Sequence, residues 1–347
     1  VDRNVQPGVN KRQFKTVVGT VALAAVLSAC SSGGAGSSSH STGGVQTFTV
    51  MTSNNGVQWV PIAAMAKDGI AAKHGLTVKL QVFQNGSGNS SLIFTGGTGD
   101  VLMGGLDAPV NFHNKNALNV TVVGAIEKEN PFVLVAKSGS SYHTVGSLKG
   151  QTVGVSGAGS FSDYSVRYLL TQKSAMSPAD IKTAALGTGP TQVAALAGGK
   201  AAAVMLQSPA YEQQQSAGSI QIVHNFREDG PMPAIVAVAR TADVQKNPTK
   251  FSDFLAAWTE ELTKMAADPA YALSAGAAYL GAGVTQSDLK IQLDAFLGGI
   301  WSTDGRFTQQ LYDAGKSLLV GSGAFQESSF PSYADLTKGA PSPATTG

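Results

Sequence analysis

Apolar positions along the chain switch repeatedly between alternating and helical spacing, and the switches outline a fold. Thr47 to Met51 is rich in β-branched residues and reads as a strand. Thr52-Ser53-Asn54-Asn55-Gly56 follows as a turn. Pro61 then falls in the first turn of a helix, a favoured place, with Ile62, Met65, Ala66 and Ile70 as its apolar face and Gly75 as its end. Leu76 to Phe83 alternates as a second strand does, and the polar loop Asn85 to Asn89 precedes a short helix near Ser90 to Phe94. Asp100 to Met103 is a third strand, Pro109 starts a helix, and Val120 to Val123 is a fourth strand. Pro131 to Lys137 reads as a strand that carries the chain from one lobe towards another. Thr152 to Val155 is the next, and its Gly/Ser turn feeds a helix over Ser162 to Gln172 with Val166, Leu169 and Leu170 at helical spacing. Met232 to Arg240 is an apolar strand with a proline near its start, suited to a return crossing. Helices follow from Pro248 (Phe251, Phe254, Leu255, Trp258 and Leu262 on one face) and over Pro269 to Leu280, Ser287 to Leu297 and Thr308 to Val320.

Strands alternating with helices imply an α/β fold with a parallel sheet and crossover helices. A weak internal echo suggests two lobes of similar plan. Gly96-Gly97-Thr98-Gly99-Asp100-Val101-Leu102-Met103 lines up with Gly198-Gly199-Lys200-Ala201-Ala202-Ala203-Val204-Met205, and a proline, Pro109 or Pro209, follows each. The boundaries expected are a first lobe over 46–137, a second over 138–232, and a return to the first over 233–337. The Pro/Ala/Thr-rich tail 338–347 is expected to be loose.

The chain has 347 residues, 43% hydrophobic and 13% charged, which leaves room for two lobes with real cores. A formal charge of +2 gives no reason to expect a nucleic-acid partner. The first 29 residues change the picture further. Lys11, Arg12 and Lys15 form a basic segment, and Val17 to Ala29 is apolar but shorter than the ~20 residues of a membrane span. Leu27-Ser28-Ala29-Cys30 resembles a bacterial lipobox, which implies cleavage after Ala29 and acylation of Cys30. Cys30 is the only cysteine, so no disulfide forms within one chain. Arg3, Lys11, Arg12 and Lys15 against Asp2 give the signal a net +3, so its removal takes the chain from +2 to −1. Residues 30–45, rich in Ser and Gly, then serve as a flexible tether between lipid and fold.

The order of these segments resembles a known family. The residues that carry it are Lys73-His-Gly-Leu-Thr-Val78, Gly96-Gly-Thr-Gly-Asp-Val-Leu-Met-Gly-Gly105, Pro131-Phe-Val-Leu-Val-Ala-Lys-Ser138, Ser147-Leu-Lys-Gly-Gln-Thr-Val-Gly154 and Asn247-Pro-Thr-Lys-Phe251, with the Ser-Leu-Lys-Gly segment the most specific. They are similar to the solute-binding proteins of ABC importers in the nitrate, sulfonate, taurine and thiamine-precursor group, over roughly Thr47 to Leu319. The resemblance implies a two-lobe periplasmic-binding-protein-like fold of type II, two hinge crossings, and a ligand in the cleft. It implies a monomer that is exported, lipid-anchored on the outer face of the cell membrane, and partnered by a small molecule and a permease.

Ligands in open α/β sheets sit beyond the carboxyl ends of strands. Those ends supply the candidates Asn54, Asn55, Trp59, Ser87, Leu106, Asp107, Ser156, Ser160, Phe161, Gln207 and Ser208. Each has a plainer alternative. Asn54 and Asn55 suit a turn as well as a ligand, Trp59 packs a helix or stacks on a flat ligand, and Asp107 caps a helix or binds an ammonium or ring N–H. A cleft-facing Asp107 makes a simple inorganic anion less attractive. Glu127 and Asn130 lie after a strand and either reach the hinge or are solvated. No Lys or Arg lies in these loops, so an anion there is held by N–H dipoles and amides; an aromatic ligand such as a pyrimidine or flavin fits nearly as well. Five scattered histidines make no metal spacing, and neither a cofactor motif nor a Ser/His/Asp set can be assigned. The yeast-type pyrimidine synthases of this superfamily carry a cysteine-rich motif that is missing here, so the reading is a binding protein rather than an enzyme.

Overall fold

A computed structural model describes residues 44–52, 55–83, 91 and 93–341. Among them, ten strands form two five-stranded sheets of the same plan. The first runs β2 (Leu76–Val82), β1 (Gln46–Thr52), β3 (Val101–Gly104), β10 (Pro231–Arg240), β4 (Val120–Glu129). The second runs β7 (Lys182–Ala185), β6 (Thr152–Val155), β8 (Ala203–Leu206), β5 (Val133–Lys137), β9 (Ile220–Asn225).

Both sheets are mixed. In each, three strands are parallel (β2, β1 and β3; β7, β6 and β8), and the fourth position is antiparallel to both of its neighbours. The reason lies in the path of the chain. β5 enters the second sheet directly from β4, and β10 enters the first after β9, so each starts at the edge where its neighbours end. The parallel-rich plan expected from the sequence is seen in the crossover-connected triplets, and the entering strand runs antiparallel to its neighbours. The echo noted in the sequence falls on β3 and β8, which hold equivalent places between the triplet and the entering strand.

This pairing corrects two boundaries. Val133 pairs with Leu206 and Asn225, so β5 belongs to the second sheet and the first crossing is at 130–132 rather than after Lys137. Pro231 already pairs with Glu129, so the return to the first sheet begins before residue 233. Together the two lobes form one compact unit over Gly43–Gly347.

Two local departures have clear causes. The helix expected from Pro61 to Gly75 is split into Val60–Met65 and Ile70–Lys73. Asp68 Oδ1 accepts the Ile70 N–H at 3.0 Å and Gly69 takes a left-handed φ of 92°, so the chain restarts the helix instead of continuing it. β4 continues past Val123 to Glu129 through Gly124. A Cβ at Gly124 would stand 2.7 Å from Gly305 O and 2.8 Å from Leu255 Cδ2, so the glycine admits a close backbone approach, and Ala125 N donates to Gly305 O at 2.9 Å.

Helices cover both faces of each sheet. On one face of the first sheet, Phe48 stacks on Phe254 at 4.5 Å and 9°, with Trp59, Met65, Phe251, Trp258 and Trp301 around it. On the other, Leu102, Leu106 and Val110 meet Leu311 and Leu318 of the C-terminal Gln309–Gly321 helix. Burying each large side chain contributes about 1.5–3 kcal/mol. The second sheet is smaller, with Leu134, Val153, Val155, Val166 and Leu169 on one face and Val135, Val204, Leu206 and Tyr211 on the other.

One buried polar group in the first lobe is set against this packing. Glu261 of the Pro248–Ala267 helix is fully buried. The Tyr271 hydroxyl lies 2.9 Å from Glu261 Oε1 and 2.8 Å from Asp68 Oδ2, and one hydroxyl hydrogen cannot serve both carboxylates. Burial pushes the Glu261 carboxyl up to about 7. A carboxyl raised in the folded state favours folding most when protonated, so its contribution falls as pH rises from the unfolded value to about 7. Glu261→Gln should therefore gain on the wild type by about 1–3 kcal/mol between about pH 4 and about pH 8 in urea titrations. A difference between the two proteins that is flat across that range contradicts the assignment.

Candidate ligand-binding site

Strand direction places the candidate loops. Gly104 of β3 pairs with Val236 near the hinge half of β10, and Glu129 ends β4 opposite Pro231, so the carboxyl ends of β1 to β4 all lie at the hinge edge. Leu206 and Asn225 both pair with Val133, the first residue of β5, so the carboxyl ends of β6 to β9 do the same in the second sheet. The strands that precede the nominated loops, β1, β2, β3, β6 and β8, all end on the side of the other lobe. Equivalent ends meeting at a chain crossing form the place where α/β folds hold ligands.

The second-lobe tip is the best defined part. Ser160 is the N-cap of the Phe161–Tyr168 helix, its Oγ accepting the Asp163 N–H at 3.3 Å. The hydroxyls of Ser156, Ser160 and Ser162 form a triangle with sides of 2.7, 2.9 and 3.1 Å. Ser162 is fully buried, and its Oγ also accepts the Ser156 N–H at 3.0 Å, so it anchors the loop. Ser156 and Ser160 are half-buried and keep access to solvent. Donating to one another, the three hydroxyls satisfy themselves; turned outward, Ser156 and Ser160 present O–H donors beside the positive end of a helix dipole. Ser162 is not among the candidates from the sequence, although three serines within seven residues at the start of a helix are a usable signal.

The first-lobe tip is different in character. Asp107, in the first turn of the Asp107–Asn114 helix, is half-buried, and burial pushes its carboxyl up to about 6 against the pull of its own backbone N–H. Across the lobes, burial and then the negative charge of Asp107 and Asp163 raise the Tyr164 hydroxyl to about 12, so Asp107 and Tyr164 belong to one environment. Asn55 is exposed at the start of the turn before Val57–Trp59. Gln207, at the tip of β8, is half-buried, and its side-chain amide makes no hydrogen bond among the described residues.

Three candidates are placed elsewhere. Trp59 is 2% exposed in the aromatic core of the first lobe, so its indole packs the fold and does not line the cleft. Leu106 is 3% exposed beneath the C-terminal helix, where a Cβ on Gly315 would come within 2.6 Å of its Cδ2. Ser208 is 8% exposed and already occupied, donating to Glu212 Oε1 at 2.5 Å and accepting from Arg227 at 3.1 Å. That network reaches the hinge, since Arg227 also donates to Pro131 O. Asn54, Ser87 and Cys30 lie outside the described residues. Glu127 and Asn130 do reach the hinge: Asn130 is 2% exposed and donates to Ser165 Oγ at 3.0 Å, and Glu127 is 4% exposed on β4.

The lobes touch beside the site. Phe161, Tyr164 and Tyr168 pack on the first lobe, Tyr164 meets Phe325 edge-on at 6.2 Å, and Thr171 Oγ1 donates to Gly321 O at 2.9 Å. A small hinge cavity of about 140 Å³ is lined by Asn130, Tyr168, Phe226, Met232 and Ser317. A larger hollow of about 580 Å³, with His113, Arg240, Asp243 and Lys338, lies at the far edge, where β4 begins and β10 ends. Among the described residues no His/Cys/Asp/Glu group has the arrangement of a metal site, and no helix is long and apolar enough to cross a membrane.

Residues 60–272 match the model of the NMT1/THI5 like family. The chain belongs to that family. The match takes in the core of both lobes, from the first helix after β1 to the Pro269–Leu280 helix. Among solved structures, the periplasmic aliphatic sulphonate binding protein SsuA from Escherichia coli is similar at 16% identity, covering 86% of this chain and 92% of that one with a TM-score of 0.65. SsuA from Xanthomonas axonopodis pv. citri, bound to MOPS, is similar at 16% identity, 84% and 96% coverage and a TM-score of 0.61. A mutant DszB in complex with biphenyl-2-sulfinic acid shares 16% identity, 86% and 97% coverage and a TM-score of 0.57. No curated protein matches the chain. These likenesses establish a periplasmic-binding-protein-like fold: two mixed sheets flanked by helices.

The hydrogen bonds at the tips separate anchoring residues from available ones. Ser162→Ala leaves the Ser156 N–H without its acceptor and should lower unfolding free energy by about 1–2 kcal/mol. Gln207→Ala removes an amide with no partner among the described residues and should stay within about 0.5 kcal/mol of the wild type. Chemical denaturation of both checks this, and equal losses at the two positions contradict it.

Proposed function

We propose that this chain is the solute-binding component of an ABC importer. It captures a small molecule between the strand tips of its two lobes and presents the closed form to a permease. The observation that carries the reading is the pair of half-buried hydroxyls, Ser156 and Ser160, held by the buried Ser162 at a helix N-terminus that faces the other lobe. Hydroxyl donors and a helix dipole suit an oxyanion without a full positive charge, as a weakly hydrated sulfonate, taurine or nitrate-like anion requires. The sulfonate-binding proteins among its structural neighbours support the same class. The first 29 residues would then be a lipoprotein signal, and Cys30 the lipid-bearing residue that tethers a monomer to the outer face of the membrane.

A second reading, a pyrimidine or other aromatic vitamin precursor, is favoured by the half-buried Phe161 and by Tyr164 beside Asp107. Chemistry on the same fold is the least supported alternative. It is separated from binding by the absence or presence of product when the ligand is incubated with purified protein. On the binding reading, closure is a hinge motion at 130–132 and 226–230, and ligand shifts the population of the closed form.

A thermal-shift screen of purified protein against alkanesulfonates, taurine, nitrate, pyrimidines and flavins tests the proposal. A ligand present at about 100 times its dissociation constant should add about 2.7 kcal/mol of stability. Ser160→Ala should weaken a sulfonate-type ligand by roughly tenfold. No response to any of these compounds, or turnover of one of them, overturns the binding reading.

A further inference from the structure

The helix that carries the serine tip is also the part of the second lobe that lies along the first. Phe161, Tyr164, Tyr168 and Thr171 recur at steps of three and four, so they form one stripe on that helix. Opposite the stripe stands the end of the C-terminal helix and the turn after it. Tyr164 meets Phe325 edge-on at 6.2 Å, and the Tyr168 hydroxyl lies 3.4 Å from Ser317 Oγ. Thr171 Oγ1 and Gln172 Nε2 donate to Gly321 O at 2.9 and 3.4 Å. All four residues of the stripe are half-buried, whereas Leu311 and Leu318, which fix the C-terminal helix in its own lobe, are fully packed away from water. A half-wet contact between lobes is one that can part.

Two details fit the contact for parting and closing again. Thr171 has one hydroxyl hydrogen and two close acceptors for it: Gly321 O across the lobes at 2.9 Å, and Arg167 O on its own helix at 2.8 Å. When the lobes separate, the hydroxyl turns back to Arg167 O and no donor is orphaned, while Gly321 O, at a helix end, passes to water. Gly321 is the second detail. It ends the Gln309–Gly321 helix without a positive φ, so a methyl group there strains no backbone. The nearest atoms that a Cβ would meet all belong to the other lobe: Tyr168 Cδ2 at 2.7 Å, Tyr168 Cε2 at 2.9 Å and Gln172 Cγ at 3.1 Å. The missing side chain is therefore what lets the stripe seat. The second-lobe helix also widens into a π-turn over Leu169–Lys173, at the residues that reach Gly321, and such turns recur at functional positions.

We infer that this stripe is a latch. Seated on residues 317–325, it sets how far apart the lobes stand before any ligand arrives, and the serine tip at the start of the same helix moves with it. The latch shifts the population of lobe arrangements without touching the ligand, so loosening it changes the apparent affinity for every ligand by one common factor. That consequence for affinity rests on the solute-binding reading; the effect on the spacing of the lobes does not.

Small-angle X-ray scattering of the purified, ligand-free full chain tests the latch, with circular dichroism to check that each variant is folded. Gly321→Ala should increase the radius of gyration over that of the wild type, because its methyl group holds the Tyr168 ring off the first lobe. Tyr168→Ala should increase it too, and adding Gly321→Ala to Tyr168→Ala should increase it no further. Thr171→Val, which loses only the hydroxyl, should give a smaller increase. Wild-type dimensions in Gly321→Ala overturn the inference, as does a Gly321→Ala effect that persists undiminished beside Tyr168→Ala. Should Gly321→Ala lose its fold, Tyr168→Ala and Thr171→Val decide, and wild-type dimensions in both overturn it. Calorimetry of Gly321→Ala with alkanesulfonates, taurine, nitrate, pyrimidines and flavins should change the affinity of every compound that binds by the same factor. Loss confined to one class of compound overturns the latch. No binding by any compound overturns the solute-binding reading and leaves the scattering result to decide the latch.

Discussion

Neither sheet of this protein is complete without a strand delivered through the hinge. β10, ten residues long with six of them buried, is inserted between β3 and β4 only after the whole second sheet has been laid down. β5 takes the equivalent place between β8 and β9 immediately after the chain leaves β4. A strand in the middle of a sheet is held by hydrogen bonds on both sides, so it cannot slide to suit the other lobe. The crossings at 130–132 and 226–230 are thereby short and fixed, and Asn130 and Arg227 are spent on tying them down.

That constraint determines where chemistry can happen. An entering strand must start where its parallel neighbours stop, so in both sheets the carboxyl ends of the triplet point at the hinge. The loops that leave them are free of the ladder and carry small polar residues. The two walls differ electrostatically. The second-lobe wall offers hydroxyl hydrogens and a helix N-terminus, which favour negative charge. The first-lobe tip carries the Asp107 carboxyl, raised by burial rather than balanced by a cation.

The fold was legible in the sequence where periodicity and punctuation agree. The helix from Pro248 and the strands at Gln46, Leu76 and Thr152 begin within a residue or two of where Pro, Gly and alternation put them. The echo between the β3 and β8 segments was legible because equivalent strands face equivalent packing. What the sequence hid was decided by contacts distant along the chain. Gly124 looks like a strand end and is instead a strand interior that lets Gly305 approach. Asp68 and Gly69 break a helix whose apolar stripe runs on without interruption. In the site, Ser156, Ser160 and Gln207 stand where strand ends put them. Trp59, Leu106 and Ser208 share that local pattern, yet the Trp301 cluster, the C-terminal helix and Arg227 claim them. Position along a strand predicts which loop faces the hinge; it does not say which side chain in the loop is already engaged.

The account stands on ligand being held between the two sets of strand ends. The crystal structure of the protein with the ligand it carries through purification tests this most directly. The account predicts density bounded by Ser156 and Ser160 on one side and by the β4 end on the other. Density in the far-edge hollow beside His113, Arg240 and Lys338, with the hinge side occupied by water alone, would contradict it.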